Sequence, residues 1–226
     1  MAGGRTSGFS PASKARLTLH DVPRFPGNTL FDRVGRATCE AGCLPRKELY
    51  EAWEVARRVR RRLRGGRIVD LGGGHGLLAQ VMVLLDDASA EAVVVDKVLP
   101  ASSAKVHEAL VAAWPRLSGR IAFVDATLDS FPLLPTDVVV SSHACGALTD
   151  RVLARAVSAR ARLAVLPCCH NLDRGDDGGL SGWLDGSLAI DVVRATGLAR
   201  QGYRIWTQTI PGDITPKNRL LLAAPR

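Results

Sequence analysis

Residues 68–78 read IVDLGGGHGLL. A short apolar run of strand character enters a glycine-rich turn, and a second apolar run leaves it. Asp70, Gly72, Gly74 and Gly76 fit the spacing D-x-G-x-G-x-G. Glycines let a backbone turn tightly and let a ligand approach it closely. A helix starting directly after such a turn presents unpaired amide groups to that ligand. The dinucleotide spacing G-x-G-x-x-G asks for glycine at position 77, where this chain has Leu77.

Outward from this turn the chain alternates. GRIVDL reads as the first strand and residues 76–86 as a helix. EAVVVD is the second strand, residues 102–113 the next helix, and GRIAFVD the third strand. TDVVVSS is the fourth, followed by a helix through LTDRVLARAVSA, and RLAVLP is the fifth. A helix over 187–201 and two final strands, YRIWTQTI and RLLLAA, complete the pattern, with TPKNR as the turn between them. Short apolar strands alternating with helices mean a mostly parallel sheet covered on both faces. The fold expected is α/β and Rossmann-like, with seven strands and an antiparallel hairpin at the edge. Asp96 ends the second strand 24 residues beyond Gly72, where an acid can take both ribose hydroxyls of a nucleoside. Asp125 ends the third strand, where a side chain can reach an adenine amino group. Three acids at successive strand ends behind this glycine spacing point to S-adenosylmethionine (SAM), held by Asp70, Gly72, Gly74, Gly76, Asp96 and Asp125.

In open α/β sheets, ligands bind beyond the carboxyl ends of the strands. Strands four and five end in SSHACG and PCCH, so His143, Cys145, Cys168, Cys169 and His170 are expected around the point of methyl transfer. Three chemistries fit these residue types. The first is proton removal from an attacking hydroxyl by His143, or secondarily by His170. The second is attack by a Pro-Cys thiolate on a pyrimidine ring. The third is a tetrahedral zinc site using His143, Cys145, one of Cys168 and Cys169, and His170. Adjacent residues in an extended chain point oppositely, which sets the two neighbouring cysteines against sharing one ion. The expectation is therefore a catalytic Cys/His cluster without metal, with one of Cys145 and Cys168 packed as a small buried residue.

HACGALTD and PCCH, in this order behind a glycine-rich turn, resemble the methyltransferase domain shared by two groups. One is the eukaryotic tRNA 2′-O-ribose methyltransferase of the acceptor stem. The other is the glutathione S-transferase C-terminal-domain-containing protein, whose S-P-K-N run ITPKNRLLL also resembles. The resemblance covers roughly residues 45–224, with specific motifs at 70–76, 143–150, 167–170 and 215–219. It implies a class I methyltransferase fold with SAM as cofactor. By motif position it places His143, Cys145, Asp150, Cys168, Cys169 and His170 in the active-site region. The chain departs from the tRNA enzyme in its N-terminal part, where that enzyme has a zinc-binding region and this chain has only Cys39 and Cys43.

Charge is uneven. Residues 1–66 carry 14 lysines and arginines against 6 acids, so the whole formal charge of +8 resides there; residues 67–226 carry 16 of each. The densest piece is RRVRRRLR, residues 57–64, at the end of a helix RKELYEAWEVARRVRRRL. Leu49, Trp53, Ala56, Val59 and Leu63 make its apolar face. Arginines near a helix C-terminus also suit the helix dipole and solvation, but six in eight residues favour a polyanion. Arg58, Arg61 and Arg62 are candidate RNA contacts. So are Trp183, a stacking surface in the polar loop after Cys-Cys-His, and Lys217 with Asn218 in the last turn.

An odd cysteine count of five, with two adjacent, argues against a disulfide framework and for a reducing, cytoplasmic setting. No apolar run approaches the ~18 residues of a membrane span, and the start of the chain shows no secretory leader, although its acid-poor, arginine- and serine-containing character leaves an organelle-targeting reading open. The expected organisation is a flexible basic tail over 1–30, a basic helical extension over 31–66 and a SAM-binding domain over 67–226. The expected activity is SAM-dependent methylation of RNA, with a tRNA ribose 2′-oxygen as the finer expectation. The alternatives are a small-molecule or protein methyltransferase and a non-catalytic SAM-binding protein.

Overall fold

A computed structural model describes residues 9–226. The strands are β1 (Ile68–Leu71), β2 (Ala92–Asp96), β3 (Ile121–Asp125), β4 (Val138–Ser141), β5 (Arg162–Val165), β6 (Tyr203–Thr209) and β7 (Arg219–Pro225). The helices are α1 (Leu30–Ala41), α2 (Arg46–Arg62), α3 (Leu77–Leu85), α4 (Ser102–Ala113), α5 (Ala147–Ser158) and α6 (Gly186–Arg200). The sheet has the order β3-β2-β1-β4-β5-β7-β6. β1 to β5 are mutually parallel, and β7 runs against both β5 and β6. This is the mostly parallel seven-stranded sheet read from the sequence, with the β6–β7 hairpin closing one edge.

Alternation along each strand divides the core in two. Ile68, Val94, Val138, Val140 and Ala164 face the layer built from α1 to α4. Val69, Leu71, Val93, Val95, Val139, Leu163 and Val165 face α5 and α6, with Val152, Ala156 and Leu198 packed on them. A strand buried on both faces leaves no position for a polar residue in its middle, which is why these runs are almost purely apolar. The register pairs Asp70 with Val94, Asp96 with Asp125 and Ser141 with Val165. The carboxyl ends of the parallel strands therefore form one edge, and the loops that follow them share one rim.

The N-terminal part is a component of this core. Phe9 packs against Phe25 with ring centroids 6.0 Å apart, and Leu17 and Phe25 are 0% and 1% exposed. Leu17 N–H donates to Leu44 O at 2.8 Å. From Phe9 on, the segment expected as a flexible tail is thus held on α1 and α2 by single apolar anchors. These lie too far apart in sequence to show a period. Residues 1–8 of that expectation lie outside the described residues.

α2 packs into the same layer. Leu49, Ala56, Val59 and Leu63 are buried, as their spacing requires. Arg60 follows Ala56 by four residues and shares that face. It is 3% exposed, pairs with Asp86 at 3.3 Å, and donates to Met82 O, Leu63 O and Ser89 Oγ. Burial lowers its pKa to about 10, against the pull of Asp86. A buried pair of this kind is costly to break on one side only, because the surviving charge is stranded. It pins the C-terminal end of α2 to the end of α3. No helix among the described residues is long and apolar enough to cross a membrane.

Candidate active site

A cleft of about 620 Å³ opens at the carboxyl rim of β1, β2 and β4. Asp70 and the backbone of Gly72, Gly73 and Gly74 form its floor, with Asp96 and Lys97 at the end of β2, and Ser142, His143 and Ala144 after β4. Gly72 and Gly74 have φ of +71° and +51°. A Cβ at either position meets nothing within 4 Å, so both face open space. The turn therefore offers bare backbone to a ligand. Gly76, also at positive φ, caps α3 and has a different reason to be glycine: its Cβ would lie 2.8 Å from both Phe123 and Val94.

The acids of this region divide. Asp96 Oδ2 accepts from Gly74 N–H at 3.1 Å and stays at the cleft. Asp70 is 2% exposed, and burial pushes its carboxyl up to about 7; the Ala79 amide opposes this shift and the nearby Asp96 adds to it. Asp125 does not line the cleft. Its Oδ1 accepts from Leu99 N–H at 2.9 Å, so it serves the β2–α4 connection, and Thr127 and Leu128 supply the cleft wall beyond β3.

The Cys/His cluster also divides. His143 is exposed on the cleft wall. His170 is turned away: its Nε2 lies 2.7 Å from Asp191 Oδ1 on α6, and its side chain is 2% exposed. Asp191 also accepts from Arg219 Nε at 2.7 Å. Burial would raise the Asp191 carboxyl, but His170 and Arg219 together hold it below the usual range. Asp150 is bound on both oxygens by Arg194, at 2.7 and 3.0 Å. His170 and Asp150 thus belong to an ionic network that ties α5, α6 and β7 to the rim. The long-range partner Asp191 gave no signal near the motif.

Cys145, Cys168 and Cys169 do come together, with all three sulfurs within 4.8 Å of one another. Cys145 Sγ and Cys168 Sγ are 2.7 Å apart. Both neighbouring cysteines lie beyond the end of β5 at Val165, and the opposed orientation expected of them in a strand does not keep their sulfurs apart. Burial pushes the Cys168 and Cys145 thiols up, and the neighbouring cysteines add to this for Cys168. A cysteine nucleophile needs the opposite shift, which weakens covalent attack on a pyrimidine ring. Cys39 is fully buried in α1, its thiol pushed up to about 12 by burial, and Cys43 approaches Ser102 O at 3.8 Å.

Several candidate substrate residues are not gathered at the cleft. Arg58 pairs with Glu54 and donates to Thr209 O at 2.9 Å, so it is spent on the fold. Arg61, Arg62 and Arg64 are exposed. Glu48 and Ala52 line the cleft from the first half of α2; at about 1.5 Å per residue, Arg62 is about 15–20 Å further along. Asn218 donates to Ile210 O at 2.9 Å and closes the β6–β7 turn beside exposed Lys217. Trp183 is 89% exposed and is not part of the cleft wall. Glu48, Ala52, Lys97, Thr127, Leu128 and Ser142 line the cleft without a sequence signal. Ser142 is 5% exposed and its Oγ, buried, has no hydrogen-bond partner.

Residues 47–174 match the family described as a methyltransferase domain. No curated protein matches the chain. Among solved structures, an O-methyltransferase family protein from Burkholderia thailandensis is similar at TM-score 0.54 and 19% identity, over 93% of this chain and 64% of that one. The mitomycin 7-O-methyltransferase MmcR is similar at TM-score 0.52 and 17% identity, over 94% and 64%. A tRNA methyltransferase from B. subtilis gives TM-score 0.49 and 16% identity, over 76% and 65%. The chain spans just under two thirds of each of these three, and at such identities the likeness is one of fold.

Proposed function

The chain belongs to the methyltransferase-domain family, and from that premise we propose that this SAM-dependent methyltransferase acts on RNA, at a ribose hydroxyl of tRNA in the finer reading. The cofactor supplies an activated methyl group on a positively charged sulfur. The residues present suit it. Gly72 and Gly74 leave backbone open to a ligand, and the carboxylates of Asp70 and Asp96 face a cation and ribose hydroxyls. His143 takes the proton from the attacking hydroxyl. Ser142 lies on the same wall, its Oγ buried and without a partner in the fold.

The observation that carries the RNA reading is the placement of Arg61, Arg62 and Arg64. Ion pairs engage Arg57, Arg58 and Arg60 of the same run, while these three are exposed at the end of α2 remote from the cleft. Only a polymer can touch both places at once, and the formal charge of +8 suits a polyanion. Transfer of label from SAM to total RNA, followed by nuclease digestion, tests the substrate. Label confined to protein or small molecules would overturn it. For binding, removing three phosphate contacts in the R61A/R62A/R64A variant is expected to flatten the dependence of log affinity on log salt by about 2–3.

Asp70 predicts a pH dependence of cofactor binding. Its carboxyl holds a proton up to about 7, whereas an unfolded aspartate loses it near 3.9. Between those values the native state holds a proton the unfolded chain has lost, so stability falls as pH rises through that window. A cationic ligand favours the ionised form. SAM affinity is thus expected to rise about tenfold from pH 6 to pH 8. Calorimetric titration of wild type and Asp70→Asn checks this, since the variant should show a flat profile.

A further inference from the structure

We propose that Cys145, Cys168 and Cys169 form a three-thiolate zinc site with an open fourth position, beside the methyl-transfer cleft. β4 and β5 are neighbours in the sheet. Cys145 follows β4, and Cys168 and Cys169 follow β5. Gly146 N–H donates to Cys169 O at 2.9 Å, which clasps the two loops at the cysteines themselves. Gly146 adopts φ +58° to do so. A tetrahedral zinc ion with Zn–S bonds of about 2.3 Å sets its sulfurs about 3.8 Å apart. That spacing lies inside the range these sulfurs already occupy, from 2.7 Å for one pair to at most 4.8 Å for any.

The donor set is soft and small, which suits zinc and not a hard oxygen-seeking cation. The histidines do not complete it. His170 Nε2 is committed to Asp191, and neither ring nitrogen of His170 or His143 falls within the cluster. Cys145 and Cys169 are exposed and Cys168 is half-buried, so the fourth position faces solvent. Sites with three protein ligands and an exchangeable fourth are the kind that bind water or a substrate group, whereas structural zinc sites are closed. Binding replaces three S–H protons by three Zn–S bonds, releases those protons, and requires no oxidant. Cys145 shares the loop after β4 with Ser142 and His143, which line the cleft. The ion's open position would take water or another exchangeable donor. The proposal does not depend on RNA as substrate, and failure of RNA methylation would leave it standing.

The test uses the full chain purified under reducing conditions without chelator. One equivalent of zinc per chain is expected. Metal-free protein titrated with cobalt(II) should give a thiolate-to-metal charge-transfer band. C145S, C168S and C169S should each lose the band and the bound zinc while still binding SAM, and C43S should keep both. If a serine variant does not fold, alkylation of the wild type serves instead: added zinc should protect Cys145, Cys168 and Cys169, but not Cys43. Wild type without stoichiometric zinc or a cobalt band would overturn the site. So would zinc retained by the triple serine variant, or a Cys145–Cys168 disulfide that forms in place of metal binding.

Discussion

His143→Ala is expected to lower methyl transfer by about 10²–10⁴-fold while leaving SAM affinity unchanged, the range a positioned general base commonly contributes. The side chain is exposed on the cleft wall directly after β4. Its removal takes nothing from the core, so the variant should fold and melt as wild type does. Single-turnover transfer under saturating SAM isolates the chemical step from cofactor binding. Added imidazole should restore part of the rate, because it returns the lost base to an emptied place; a merely structural role would give no such rescue. Ser142→Ala makes the instructive comparison. Its buried hydroxyl has no partner in the fold, so the substitution should not destabilise, and a smaller loss of rate would mark it as a positioning residue. Normal turnover by His143→Ala would remove proton abstraction from this side chain and return the cleft chemistry to the groups around it.

The parts of this molecule legible in the sequence are those whose cause is local. Val93, Val94 and Val95 lie in a strand covered on both faces, and an unbroken apolar run is the direct consequence. The turn at Gly72 and Gly74 was legible because a positive φ and an open approach demand a specific residue type. What escaped depends on partners distant in sequence. His170 reads as part of a Cys-Cys-His motif, yet its orientation is set by Asp191, one helix later. Asp125 reads as a third strand-end acid, and its bond from Leu99 N–H is a contact no motif announces. The arginine run reads as one basic surface, but helical phase buries Arg60 and neighbours consume Arg58. Phe9, Leu17 and Phe25 lie in a segment whose glycines, serines and prolines resemble a linker, and no periodicity announces isolated anchors.

Gly74→Val is expected to weaken SAM binding by about a hundredfold or more with only a modest loss of stability. A side chain at φ +51° costs about 1–2 kcal/mol of backbone strain, which accounts for the stability term. The binding term has a separate origin. The new Cβ would stand in open space on the cleft floor, with no protein atom within 4 Å, in the volume where the cofactor approaches backbone. Nothing in the fold collides, so the folded state survives while the ligand is excluded. Gly76→Val is the contrast. Its Cβ would meet Phe123 and Val94 at 2.8 Å, inside a core packed at crystal-like density. That variant should lose stability first, and binding only as a consequence. Melting temperature and SAM titration measured on both variants separate the two kinds of glycine. If Gly74→Val bound SAM as wild type does, the glycine turn would be a fold element alone, and the cofactor's place in this cleft would have to be rebuilt from Asp96 and the wall beyond β3.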